Sequence, residues 1–130
     1  MRYAAVLLIA LSGACKLDPF PKGFDPFVIP KPSSGSHIEL TTVTVSPTAV
    51  RAGSQFVASA SATVGNCDLV DIVVIYGGQP VIQPGAAFQS SFTAILDQTV
   101  VDFHAYCVTP SGGPIVTPDQ YIDITVAPAP

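Results

Sequence analysis

The chain predicts an all-β protein: one antiparallel β-sandwich of about seven short strands, after an export signal and a proline-rich linker. Three observations predict it. Apolar and polar residues alternate with period two along several segments beyond Ile38, as half-buried strands require. Gly, Pro and Ser-Pro signals punctuate that region about every ten residues. No window carries the 3.6-residue apolar period of an amphipathic helix. Short strands with turn residues between them belong to sandwiches.

The first strand is expected over 39–45, where Ser46-Pro47 stops it. The second runs over 55–64. There Phe56, Ala58, Ala60, Ala62 and Val64 alternate with Val57, Ser59, Ser61 and Thr63. The segment 70–76 is apolar on both faces apart from Asp71, which suits a central strand. Gly77-Gly78 then supplies the positive φ of a two-residue hairpin turn, followed by a short strand over 80–82. The next strand covers 87–96, with Phe88, Phe92, Ala94 and Leu96 on one face. Over 100–108, Val101, Phe103, Ala105 and Cys107 face one way and Asp102, His104 and Tyr106 the other. A last strand covers 121–126 with Ile122, Ile124 and Val126 inward.

Before this region the chain is organised differently. Met1-Arg2-Tyr3 is a basic start, residues 4–11 are apolar throughout, and Ser12-Gly13-Ala14 precede Cys15. That is the plan of a signal peptide, and the apolar run is short of the roughly 20 residues that span a bilayer. Residues 16–37 hold Pro19, Pro21, Pro26, Pro30 and Pro32, and Asp-Pro-Phe occurs twice, at 18–20 and 25–27. Such a segment is an extended stalk, and its Phe residues could also form a docking strip. The expected organisation is a signal peptide over 1–14, Cys15 and linker over 15–37, and a sandwich domain over 38–130. After Ser36 a single cation, Arg51, stands against seven carboxylates, leaving −6 with His neutral. The basic footprint of a nucleic-acid binder is missing.

Cys15 directly after small residues resembles the lipobox of bacterial lipoproteins. Gly13 and Ala14 fit that motif, while Ser12 stands where Leu is usual. The resemblance implies that Cys15 is acylated and becomes the mature N-terminus, a membrane attachment through lipid. Lys16, rather than Asp, at the next position implies the outer membrane of a Gram-negative envelope. Ordinary signal-peptidase cleavage at Ser12-x-Ala14, giving a secreted protein, is the alternative. Acylation would occupy one of three thiols and leave Cys67 and Cys107 as an even pair. In an exported protein these are expected to form a disulfide.

Thr42-Val43-Thr44-Val45-Ser46-Pro47 through Arg51-Ala52-Gly53-Ser54, together with Ile75-Tyr76-Gly77-Gly78 and Phe103-His104-Ala105-Tyr106, resemble bacterial Ig-like domains over about 38–126. The resemblance implies an Ig-like or fibronectin-type sandwich. Two immunoglobulin hallmarks are missing: the chain has no Trp, and Ala105 rather than Tyr stands two residues before Cys107.

Chemistry is sparse. Asp102 and His104 share a strand face, but their heads are expected about 7 Å apart, with no nucleophile in the pattern, so they read as an exposed polar face. Asp68, Asp71 and Asn66 are too few oxygens for Ca²⁺. No Gly-x-Ser-x-Gly elbow occurs, and no catalytic residue, metal site or cofactor is assigned. The candidate binding surface is the long 109–118 connection, with Ser111, Gly112 and Gly113 as a possible binding loop beside the cysteine pair. Exposed sheet edges are a second surface, open to strand addition. The expected role is non-enzymatic: an accessory module at the envelope that binds an envelope or surface protein. The alternative is a glycan or peptidoglycan binder that uses Tyr76, Tyr106 and Tyr121.

Overall fold

The computed structural model describes residues 30–130, and within them the chain is all β, with no helix. The expected signal peptide over 1–14 and Cys15 lie outside the described residues. The strands are β1 (His37–Ser46), β2 (Ala49–Arg51), β3 (Gln55–Gly65), β4 (Leu69–Tyr76), β5 (Gln79–Pro84), β6 (Ala87–Thr93), β7 (Val100–Val108), β8 (Pro114–Val116), β9 (Gln120–Asp123) and β10 (Thr125–Ala127). One antiparallel sheet has the order β1-β3-β6. The other has the order β5-β4-β7, with β8 and β9 sharing the second edge of β7. A short parallel pair of β2 and β10 completes the fold. This is the predicted β-sandwich.

The period-two patterns place the core. Phe56, Ala58 and Ala60 of β3 face Ile72, Val74 and Tyr76 of β4 and Val101, Phe103 and Ala105 of β7, all buried. β1 reaches the same core by a bulge. Its register with β3 shifts between Leu40 and Thr42, so Thr41 is unpaired. Ile38 and Leu40 before the bulge and Val43 and Val45 after it then all point inward. The Gly77-Gly78 turn forms as expected, with φ of 62° and 77° closing Tyr76 onto Gln79.

Several expected boundaries move. The 87–96 strand ends at Thr93. Ala94 is buried, but Leu96 sits exposed in the connection to β7, not on the core face. The last strand divides at Ile124. Its inward set holds, but β9 pairs with β7 while β10 pairs with β2. Part of the 109–118 connection is itself a strand, β8. His37 begins β1 rather than ending the linker.

Tyr76 is buried among the core aromatics, so it cannot serve as a surface contact for a glycan. Its hydroxyl instead accepts from Ile95 N–H at 2.9 Å and donates to the Gln98 carbonyl at 2.9 Å, pinning the β6–β7 connection. Tyr76→Phe keeps the ring and strands the Ile95 N–H. Urea melts should show a loss of about 1–2 kcal/mol; an unchanged midpoint would mean that water replaces the hydroxyl.

Candidate functional site

Three surfaces can carry function on a sandwich: the loops at its poles, the open edges of its sheets and their outer faces. At the pole predicted to bind, Cys67 and Cys107 form a disulfide with a Cα–Cα distance of 5.7 Å. The pair joins the β3–β4 turn to the end of β7. The loop of Ser111, Gly112 and Gly113 lies beside it and is engaged by the chain's own residues 31–36. Ser33 N–H donates to Thr109 Oγ1 at 3.1 Å, Ser111 N–H donates to Ser33 Oγ at 2.8 Å, and Ser111 Oγ donates to the Lys31 carbonyl. Ser36 Oγ donates to the Asn66 carbonyl at 2.7 Å, and Asn66 Nδ2 donates to the Ser34 carbonyl at 3.2 Å. Gly113 is buried beneath this strap, where a Cβ would collide with the backbone of Lys31 and Pro32. The last residues of the predicted linker are therefore part of the domain. The polar groups of the predicted loop are spent on holding them.

Two sheet edges, β5 and β6, are blunted. Pro80 and Pro84 remove two N–H donors from edge strand β5. On edge strand β6, Gln89 N–H donates to Gln83 Oε1 at 3.1 Å and Gln83 Nε2 donates to the Gln89 carbonyl at 2.9 Å. The Gln83 amide thus occupies the place a neighbouring strand would take.

The two outer faces differ sharply. That of the small sheet is polar, with Thr42, Thr44, Ser59, Ser61, Gln89 and Ser91 turned to water. That of the large sheet carries Leu69, Ile82, Val100, Val116 and Tyr121, each 43 to 62% exposed. The register puts these five on one side: Ile82 pairs with Val73, Leu69 with Val108, Val116 with Tyr106, Tyr121 with Asp102 and Val100 with Asp123. Val73, on this outward side, is only 5% exposed. Interspersed carboxylates give the face a negative sign. The Asp71 carboxylate, opposite Tyr106 across β4 and β7, favours the protonated Tyr106 hydroxyl and raises its pKa; the negative charge of Asp119 does the same to Tyr121.

At the centre of this face Asp102, His104 and Asp119 converge, with one ligating atom from each lying within 4.8 Å of the others. This corrects the wider spacing expected for Asp102 and His104. Asp119 arrives through a register shift. Val116 pairs with Tyr106 and Gln120 with Phe103, so the three residues 117–119 oppose only His104 and Ala105. Thr117 takes up the slack by donating its N–H to the Ala105 carbonyl and accepting the Ala105 N–H on Oγ1. The extra residue swings Asp119 over β7, as bulges re-aim side chains. His104 Nδ1 then lies 3.4 Å from Asp119 Oδ1 without a hydrogen bond between them. Burial, and next the Asp119 charge, raise the Asp102 pKa, while His104 acts in the opposite sense. The clue in the sequence was Asp119 in a Pro-Asp step just after a strand, but nothing local ties it to His104. Asp68 and Asp71 belong to no comparable group among the described residues.

No protein-family model matches the chain, and no curated protein matches it either. Its functional reading rests on its own residues.

Proposed function

We propose that the chain is an envelope-anchored lipoprotein, acylated at Cys15, whose Ig-like sandwich is a non-enzymatic module that binds another envelope or surface protein. The observation that carries the binding role is the outer face of the large sheet. Five exposed large apolar side chains stand around it, on its outer strands and strand ends, and exposed apolar surface of that kind marks contact surfaces. The face also holds Asp71, Asp102, Asp119 and Asp123, while the cations among the described residues, Lys31 and Arg51, sit at the strap and on β2. The partner it suits brings basic groups to the carboxylates and apolar side chains to the surrounding rim.

The strap supports the anchored geometry. Pro30 lies over Gly112 at the disulfide pole, so the chain leading back to Cys15 leaves from that pole. Extended proline-rich chain rises about 3.1 Å per residue. If extended, the 14 residues between Cys15 and Pro30 would hold the domain within about 45 Å of the lipid. The Cys67–Cys107 bond suits an oxidising, exported location.

The test has two readouts on protein from its host's membrane fraction. Non-reduced intact mass should equal residues 15–130 plus acyl chains, less two hydrogens; an unacylated chain in the soluble fraction would defeat the anchor. A photo-crosslinker at Tyr121 should capture a protein partner, and one at Thr44 on the polar face should not. Equal capture at both positions would defeat the face. Saturable glycan binding lost in Tyr121→Ala would move the reading to a glycan-binding module.

A further inference from the structure

Two atoms near the centre of the large-sheet face are buried without a hydrogen-bond partner, and both belong to the convergent trio: Asp102 Oδ1 and His104 Nδ1. Buried polar atoms in folded proteins are nearly always satisfied, and an orphan signals a bound water or ion. Two orphans in one cluster, on residues of different chemistry, point to a shared ligand. The trio also brings two carboxylates together, a like-charge contact that needs a proton or a cation to offset it. No Lys or Arg among the described residues stands on this face.

We propose that Asp102, His104 and Asp119 form a binding site for a divalent transition-metal ion of the zinc class, held by the His104 imidazole and one oxygen of each carboxylate. Ligand type selects the class. Imidazole suits zinc and its borderline neighbours, whereas Ca²⁺ takes six to eight oxygens. Geometry agrees. Bonds of about 2.0–2.1 Å in a tetrahedral site place neighbouring ligand atoms about 3.4 Å apart. His104 Nδ1 and Asp119 Oδ1 already stand at 3.4 Å. The other separations, within 4.8 Å, close by rotation of the Asp102 and Asp119 carboxylates. Two ligands are fixed by the alternation of β7, and the third by the residue inserted between β8 and β9. Three protein ligands leave a fourth position for water, the pattern of open zinc sites. The inference stands apart from the anchor and the protein partner, because metal uptake is read on the isolated chain.

The experiment is equilibrium dialysis of the full chain, untagged and stripped with chelator, against Zn²⁺ at neutral pH, with bound metal measured by atomic emission. Visible absorption after Co²⁺ loading reports coordination number. One Zn²⁺ per chain is expected, with the intense bands of four-coordinate Co²⁺. His104→Ala and Asp119→Asn should each weaken binding by about tenfold or more, since even outer-shell changes cost 10–100-fold. Glu39→Gln, on β1 of the other sheet, should bind as the parent does. Circular dichroism checks that each variant is folded. Uptake that is absent in the parent, or unchanged in both His104→Ala and Asp119→Asn, would overturn the site.

Discussion

Removing the Cys67–Cys107 bond should lower stability by about 4 kcal/mol. The bond closes a loop with a sequence separation of 40, and loop-closure entropy for that length comes to about 4 kcal/mol at 25 °C. For a domain of this size each kcal/mol moves the melting temperature by about 4–8 °C, so the drop should be roughly 15–30 °C. The variant to use is Cys67→Ser with Cys107→Ala. Cys107 is fully buried, and a serine hydroxyl there would add a desolvation cost unrelated to the crosslink. The bond acts mainly on the unfolded chain, so the urea m-value should rise as the freed chain expands. A loss below about 1 kcal/mol with an unchanged m-value would mean that the pole is held by the strap and the β7 ladder rather than by the crosslink.

Phe56→Ala should cost a similar amount, about 4–5 kcal/mol, by a different route. Phe56 is 1% exposed. Its ring meets Tyr76 edge-on at a centroid distance of 5.0 Å and stacks on Phe92 at 5.6 Å. Phe56 belongs to the small sheet and Tyr76 to the large one, so the edge-on contact crosses the sandwich. Truncating a core Phe typically costs 3–5 kcal/mol through lost transfer energy and the cavity left behind, and aromatic pairing adds about 0.5–1.5 kcal/mol. The loss falls on the native state, so the urea midpoint should fall with no change in m-value, the reverse of the signature expected from the disulfide. Phe56→Leu should recover most of the stability. A loss below about 2 kcal/mol for Phe56→Ala would show that Phe92 and Tyr76 close over the space.

Both expectations draw on features that local chemistry marks clearly. The alternation of β3 and β7 names Phe56, Phe103 and their neighbours as core, and Gly77-Gly78 names its own turn. These readings hold because side-chain direction in a strand depends only on parity along the chain. The same rule fails wherever a residue is inserted. In β1 the broken spacing from Ile38 and Leu40 to Val43 and Val45 marks the bulge at Thr41, but the flanking threonines suit a strand in any register and mask it. β2 and β8, three residues each, are too short for a period to register.

The candidate site lay further from view. The proline- and serine-rich composition of residues 30–36 reads as a stalk, because such sequence makes no secondary structure of its own. Only the gap above Gly113 and the donors of Ser111 and Asn66 turn it into a strap. Asp119 meets His104 through one extra residue between β8 and β9, a matter of pairing across the sheet that no local window contains. Periodicity and turn residues therefore set the fold class and the core of this chain, since each is written within a few residues. The shared apolar face, the occupied pole and the Asp102–His104–Asp119 cluster arose only when strands distant in sequence took their register, because a one-residue slip redirects every side chain that follows.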